Sequence, residues 1–337
     1  VVIESQTNAR GQHWPVIAAA PNRFCLILRR VSFPVVLLIL SLVGCKKTTE
    51  PVNIPPDAGV PFESFVVAKL GSFRSPARIA LAKDGILYVT DAKRGQVGII
   101  SADGKRIGTL TGLRNPLGVA VYQQETESAG TAVSTRVYVG DVADGTVKVF
   151  EGGKTTGMLG SGAGEFKKPN AIATTLAGLI HVVDSEAAEI RVYDTAGKFL
   201  RAYGASSLKF PTDLIIDEKV GEVFVSDFEA RKLFVYDLEG NPSRTIERPL
   251  NDKGDPVVTR IIGLGTGPEG RIYLVDNALC AVAAIDRQGV LVETFGYQNG
   301  RYWTGEVSIP IDAVSDGKRL YVTSNKTGQV HVFEVKQ

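Results

Sequence analysis

Carboxylates are the residues whose type and placement most invite a chemical role. Asp91, Asp141, Asp184, Asp227 and Asp276 each close a short apolar run, whereas Asp213 and Asp312 lie near the start of such runs. Arg78, Asn170 and Arg260 stand at comparable starts. Together Arg78, Asn170, Asp213, Arg260 and Asp312 could line a polar mouth that grips a ligand or a hard cation through oxygen donors. The competing reading is solvated residues around a water-filled tunnel, since two carboxylates fall short of the roughly six or more oxygens that calcium takes. The strand-closing set reads as scaffold. An Asp at a strand end accepts backbone N–H groups and fixes the turn that follows.

Other catalytic residue types are sparse. His181 and His331 sit within strand-like runs, His13 lies far upstream, and no pair has ligand spacing, so no zinc or copper site is expected. No Ser–His–Asp set, phosphate loop or nucleotide fingerprint is visible, and residues 263–268 (GLGTGP) fall in a turn between strands. Cys25, Cys45 and Cys280 are too far apart for a CxxC pair. Cys280, within the apolar run 278–282, reads as a buried inert thiol, and no disulfide is expected. With 38 basic and 36 acidic residues the chain carries +2, which gives no bulk attraction for nucleic acid. No cofactor is called for, and a monomer is expected.

These residues must be positioned by a repeat. In its clearest copy, residues 169–173 (PNAIA) lead to 179–184 (LIHVVD), 189–194 (EIRVYD), a Gly197 turn and 198–204 (KFLRAYG). Such β-branched and aromatic runs bounded by Gly, Asp and Asn are strands. The second run recurs as YVTD (88–91), YVGD (138–141), HVVD (181–184), FVSD (224–227), YLVD (273–276) and YVTS (321–324). Four strands every 40–50 residues is propeller spacing. The expected fold is therefore all-β, a six-bladed β-propeller over residues 62–337. Its last copy has three strands, and residues 65–71 (FVVAKLG) match the fourth strands of other copies. An N-terminal strand is thus expected to close the last blade, removing an exposed edge.

The pattern of Pro, an Ile-Ala inner strand, Tyr-Val-x-Asp, a third strand and Asp-x-x-Gly resembles NHL repeats. The copy from Phe166 to Gly204 is close to that pattern, the fifth and sixth are degenerate, and the Trp-Asp pairs of WD40 blades are absent. The resemblance implies six blades and binding of proteins, RNA or small ligands. In a minority of such families it implies a lyase or lactonase-like hydrolase with a channel metal, whose His and Glu ligands have no counterpart here.

The first sixty residues read as an address. Arg29 and Arg30 precede an apolar stretch, residues 31–43, that is short for a bilayer span and ends in Leu42-Val43-Gly44-Cys45. That ending resembles a bacterial lipobox, with Cys45 as the lipidated residue; the alternative is an uncleaved anchor helix. Residues 1–45 are then a pre-segment plus signal peptide, with an over-extended gene start, and the Pro-rich residues 46–61 are a flexible tether. Lys46 after the cysteine points to outer-membrane delivery in a Gram-negative cell, facing the periplasm or the cell surface.

Two insertions break the repeat. Residues 123–135 are polar and read as a mobile loop on the face away from the channel mouth. Residues 297–303 lie on the channel-mouth face, where Tyr297, Arg301, Tyr302 and Trp303 are residue types common in interface hot spots; packing onto the neighbouring blade is the alternative. The expected function is a lipid-anchored, non-enzymatic module in the cell envelope, touching the membrane only through its lipid and binding an envelope protein or extended polymer. The rival readings are a metal-dependent lyase or lactonase centred on Asp213 and Asp312, and a purely structural envelope protein.

Overall fold

The computed structural model describes residues 5–7, 13–15, 66–125, 133–250, 254, 256–295, 297–298, 301–302 and 308–335. The candidate signal, Cys45 and the tether lie outside them. Upstream, Ser5–Thr7 pairs with His13–Pro15 in a two-stranded ladder.

Six four-stranded antiparallel sheets follow, each a meander that steps from an inner to an outer strand. The inner strands are Pro76–Leu81, Pro116–Glu125, Pro169–Thr174, Pro211–Asp217, Ile261–Thr266 and Pro310–Ser315, in blades one to six. Each touches the inner strands of its two neighbours, so the six form a closed ring. A proline opens five of them, where a missing N–H costs nothing because the residue lies at the first position of the strand. In every blade the register against the second strand slips just after that first residue. The slip is a bulge that re-aims the next side chains.

Closure is as the repeat requires. Val66–Leu70 forms the outer strand of blade six, pairing Leu70 with Val330 and Lys69 with His331. Buried apolar side chains gather in six clusters, one between each pair of adjacent blades. The cluster between blades six and one unites Phe73, Ile79 and Val89 with Tyr321, Val330 and Val332. An open ring would expose two such apolar faces to water, at about 25 cal/mol per Å².

Two expectations are corrected. Residues 123–125 and 133–135 are not loop; they lengthen the inner and second strands of blade two, pairing Gln123 with Thr135 and Glu125 with Val133. Polar side chains had hidden a ladder that backbone groups alone sustain. Gln123 also reaches blade one, its Oε1 accepting the Lys83 N–H at 2.8 Å. Cys280 is disulfide-bonded rather than a lone thiol; Cys25 and Cys45 lie outside the described residues. A buried, apolar setting, which fits an inert thiol, is equally the setting of a bridged one.

The turn between second and third strands needs a left-handed residue four positions after the strand-closing Asp. Gly145 takes it in blade two at φ 61°, and Arg231 in blade four at φ 58°. A Cβ on Gly145 would lie 2.4 Å from the Phe166 carbonyl oxygen of the next blade. Arg231 is exposed and bears the strain without a glycine's freedom. Replacing Arg231 by Gly should therefore raise stability by about 1 kcal/mol, whereas Gly145→Ala should lower it by at least as much. Urea unfolding checks both, and equal effects of the same sign would contradict the turn argument.

Candidate functional site

The bulge in each inner strand falls next to its third residue. These residues are Arg78, Gly118, Ala171, Asp213, Gly263 and Asp312, in blades one to six. Arg78 crosses the ring. Its Nη1 lies 2.9 Å from Asp213 Oδ2, in the blade diametrically opposite, and 3.5 Å from Asp312 Oδ1 in the adjacent blade. Its Nη2 donates to the Thr212 carbonyl, and its Nε donates to the Asn170 carbonyl at 3.3 Å. One guanidinium thus ties blades one, three, four and six.

The carboxylates bind backbone as well as charge. Asp213 Oδ2 accepts the Leu264 N–H at 2.7 Å and Oδ1 its neighbour Leu214's at 2.8 Å. Asp312 Oδ2 accepts the Ile79 N–H at 3.0 Å and Oδ1 the Ala313 N–H at 2.9 Å. Arg78, Asp213 and Asp312 are each only 5% exposed. The solvated channel mouth expected for these three is therefore corrected: they are a buried hub whose donors and acceptors are consumed inside the ring. Small residues in the other blades allow the approach; a Cβ on Gly263 would lie 2.3 Å from the Ile311 carbonyl oxygen.

Two carboxyls share one cation in this hub. Burial raises both above the usual carboxylate range, and Asp312, also beside the Asp213 charge, is pushed well above it. One guanidinium balances one ionised carboxylate, so a second carboxyl buried beside it favours its protonated form. The neutral combination is one guanidinium, one carboxylate and one carboxylic acid.

The remaining candidates are separate from the hub. Asn170 contributes its carbonyl rather than its side chain. Arg260 precedes its inner strand by one residue and is exposed, its guanidinium 4.9 Å from the centre of the Phe228 ring. Tyr297–Gln298 pairs with Arg301–Tyr302 in a small hairpin, Tyr297 opposite Tyr302. The side chains of these residues, and all of Trp303, lie outside the described residues.

The strand-closing carboxylates do the structural work expected of them. Asp227 Oδ2 accepts Lys209 N–H at 2.6 Å and Phe210 N–H at 3.0 Å, while Oδ1 accepts Glu229 and Ala230. Asp184, Asp227 and Asp276 join the loop entering the blade to the turn between second and third strands, whereas Asp91 and Asp141 hold the entering loop and meet the Arg94 and Lys148 side chains instead.

The same bond reveals residues that sequence reasoning missed. The loop N–H groups received by Asp91, Asp141, Asp184 and Asp227 belong to Arg74, Arg114, Lys167 and Lys209. All four stand two residues before the inner-strand proline, and all are exposed. Aligning the copies on that proline would have found them.

His181 and His331 are buried and neutral. Burial lowers each to about 4, His181 Nδ1 meeting the Tyr203 hydroxyl and His331 Nε2 the Thr327 hydroxyl. Among the described residues, no group of three or more His, Cys, Asp or Glu side chains is arranged to hold a metal.

No protein-family model matches the chain. It is 29% identical over 126 residues to the Protein brain tumor of Drosophila melanogaster, a match covering 35% of this chain and 12% of that protein. Virginiamycin B lyase from Staphylococcus aureus superposes with a TM-score of 0.58 at 12% identity, over 81% of this chain and 100% of that one. A protein of unknown function from Bacteroides thetaiotaomicron gives 0.58 at 16% identity, over 83% and 74%.

The hub makes a pH prediction. A carboxyl whose folded value is raised keeps its proton longer in the folded chain, so its contribution is full below about pH 3.9 and is lost as pH rises through the folded value. Asp312→Asn keeps the neutral shape and should flatten that decline, seen as the difference from wild type in urea midpoints between about pH 5 and pH 9. Arg78→Met strands two carboxyls and should cost about 3–5 kcal/mol. An Asp312→Asn protein that parallels wild type at every pH would rule out a proton retained on Asp312. Geometry and comparisons agree on the architecture: this chain is a six-bladed β-propeller.

Proposed function

We propose that the chain is a lipid-anchored, non-enzymatic binding module of the cell envelope, built on NHL-type repeats, whose recognition surface is the channel-mouth face. The observation that carries this reading is the occupied axis. The space between Asp213 and Asp312, where the rival lyase or lactonase would need its metal, holds the Arg78 guanidinium. A cation site built on those two carboxylates would have to expel a buried, hydrogen-bonded arginine. Recognition therefore moves from the channel to the face around it, where inter-blade loops and the hairpin of Tyr297–Gln298 and Arg301–Tyr302 emerge. Loops on a rigid scaffold are the usual carriers of such binding.

The anchor rests on the lipobox at Leu42–Cys45. A sulfur that carries diacylglycerol cannot also bond Cys280, so lipidation of Cys45 excludes it as the partner in the Cys280 disulfide. In cells fed a palmitate analogue, Cys45→Ser should lose the label and leave the membrane pellet. Label retained on the variant would overturn the anchor.

Saturable binding of the purified protein to envelope fractions tests the module itself. Tyr302→Ala with Trp303→Ala should weaken it about tenfold or more while the unfolding midpoint stays put. Unchanged binding would remove the hairpin from the surface, and stoichiometric calcium or zinc in the purified protein would favour the enzyme.

A further inference from the structure

Cations recur at one structural position around the channel mouth. Arg74, Arg114, Lys167 and Lys209 take it in four consecutive blades, and exposed Arg260 extends the series into the fifth, one residue further along. The strand-closing carboxylates hold the backbone of each member. Arg74, Arg114, Lys167 and Lys209 donate their N–H groups at 2.6–2.9 Å, and Arg260 donates to Asp276 at 2.9 Å. Each cation therefore projects from a fixed point on a rigid ring. Arg114 pairs with Asp144 at 2.9 Å. Arg74, Lys167, Lys209 and Arg260 have no carboxylate partner among the described residues. A scaffold needs only the backbone N–H at this position, and Thr259 supplies it in blade five. The positive side chains in the other four blades are thus extra to the fold.

Resting on the binding-module reading above, we infer that this arc of cations binds an extended anionic polysaccharide, one bearing carboxylates along a linear chain. Charge complementarity sets the sign, and repetition from blade to blade suits a ligand whose own charges repeat. Several contacts of one polymer with one rigid arc reinforce one another without any single deep pocket. Single-stranded nucleic acid fits less well. Such ligands stack their bases on open aromatic faces. Here Phe210 and Phe228 meet edge to face, Lys168 lies 5.1 Å over the first and Arg260 4.9 Å over the second. Their outer faces already carry cations.

The test uses the full-length protein in detergent and fluorescein-labelled polygalacturonate, followed by anisotropy between about 0.05 M and 0.3 M salt. Wild type should bind, and its affinity should fall steeply with salt as bound counterions are released. The variant Arg74→Ser/Lys167→Ser/Lys209→Ser/Arg260→Ser should lose about a hundredfold or more at the lower salt. A charge-matched control on the opposite face, Lys105→Ser/Lys198→Ser/Lys219→Ser/Lys318→Ser, should change affinity by no more than about threefold. Equal losses in the two variants would reduce the effect to net charge and overturn the assignment. Tighter binding of oligo(dT) than of polygalacturonate would overturn it in favour of nucleic acid. Absent polygalacturonate binding with intact envelope binding would overturn the polysaccharide alone, and loss of both would overturn the module as well.

Discussion

A guanidinium placed at the centre of a closed ring must find its counter-charge across that centre. Arg78 of blade one finds it in Asp213, three blades away, and in Asp312 beside it. Such pairs bring little net stability, because desolvation offsets most of the attraction. Their value is specificity. The blades have similar sequences and similar apolar faces, so packing alone discriminates weakly between ring sizes. A cation in blade one with carboxyls in blades four and six is satisfied when the ring has the right number of members in the right order. The hub also commits the axis, for a channel filled by its own ion pairs is not a channel for a ligand.

The strand-closing carboxylates link scaffold to surface. Asp227 gathers four backbone N–H groups from two segments and so welds the loop entering its blade to the next turn. The welded loop carries the exposed cation. Rigidity at the face is therefore a by-product of the bonds that end each second strand, and a ligand meeting these charges pays little ordering entropy in the protein.

Much of this was legible in the sequence, and the failures have a common cause. The recurring YVxD runs fixed the number of blades, and the match of residues 65–71 to a fourth strand located the closure. Both are local patterns with a period. Arg78, Asp213 and Asp312 were singled out for the right reason, polar types at inner-strand starts, but assigned to solvent. Their meeting depends on the ring geometry, since Arg78 and Asp213 are 135 residues apart. The blade-two extension was misread because a ladder sustained by backbone bonds leaves no apolar alternation to detect. The disulfide of Cys280 is equally a matter of distant partners. The series from Arg74 to Lys209 was visible all along, yet it appears only when copies are compared column by column.

Chain direction adds a constraint on how the face is presented. Val66–Leu70 leads directly into the loop that bears Arg74, and that loop lies at the channel mouth. The strand therefore runs toward the cationic face, and Val66 begins at the opposite one. A lipid tether on the N-terminal side, as proposed above, would therefore join the propeller at the face away from Arg74, Lys167 and Lys209 and leave the cationic arc directed away from the bilayer. An anchor attached at the other face would press these cations against anionic headgroups, where lipid would compete for them. With the anchor proposed above, the direction of one edge strand would thus decide whether the arc meets the bilayer or whatever lies beyond it.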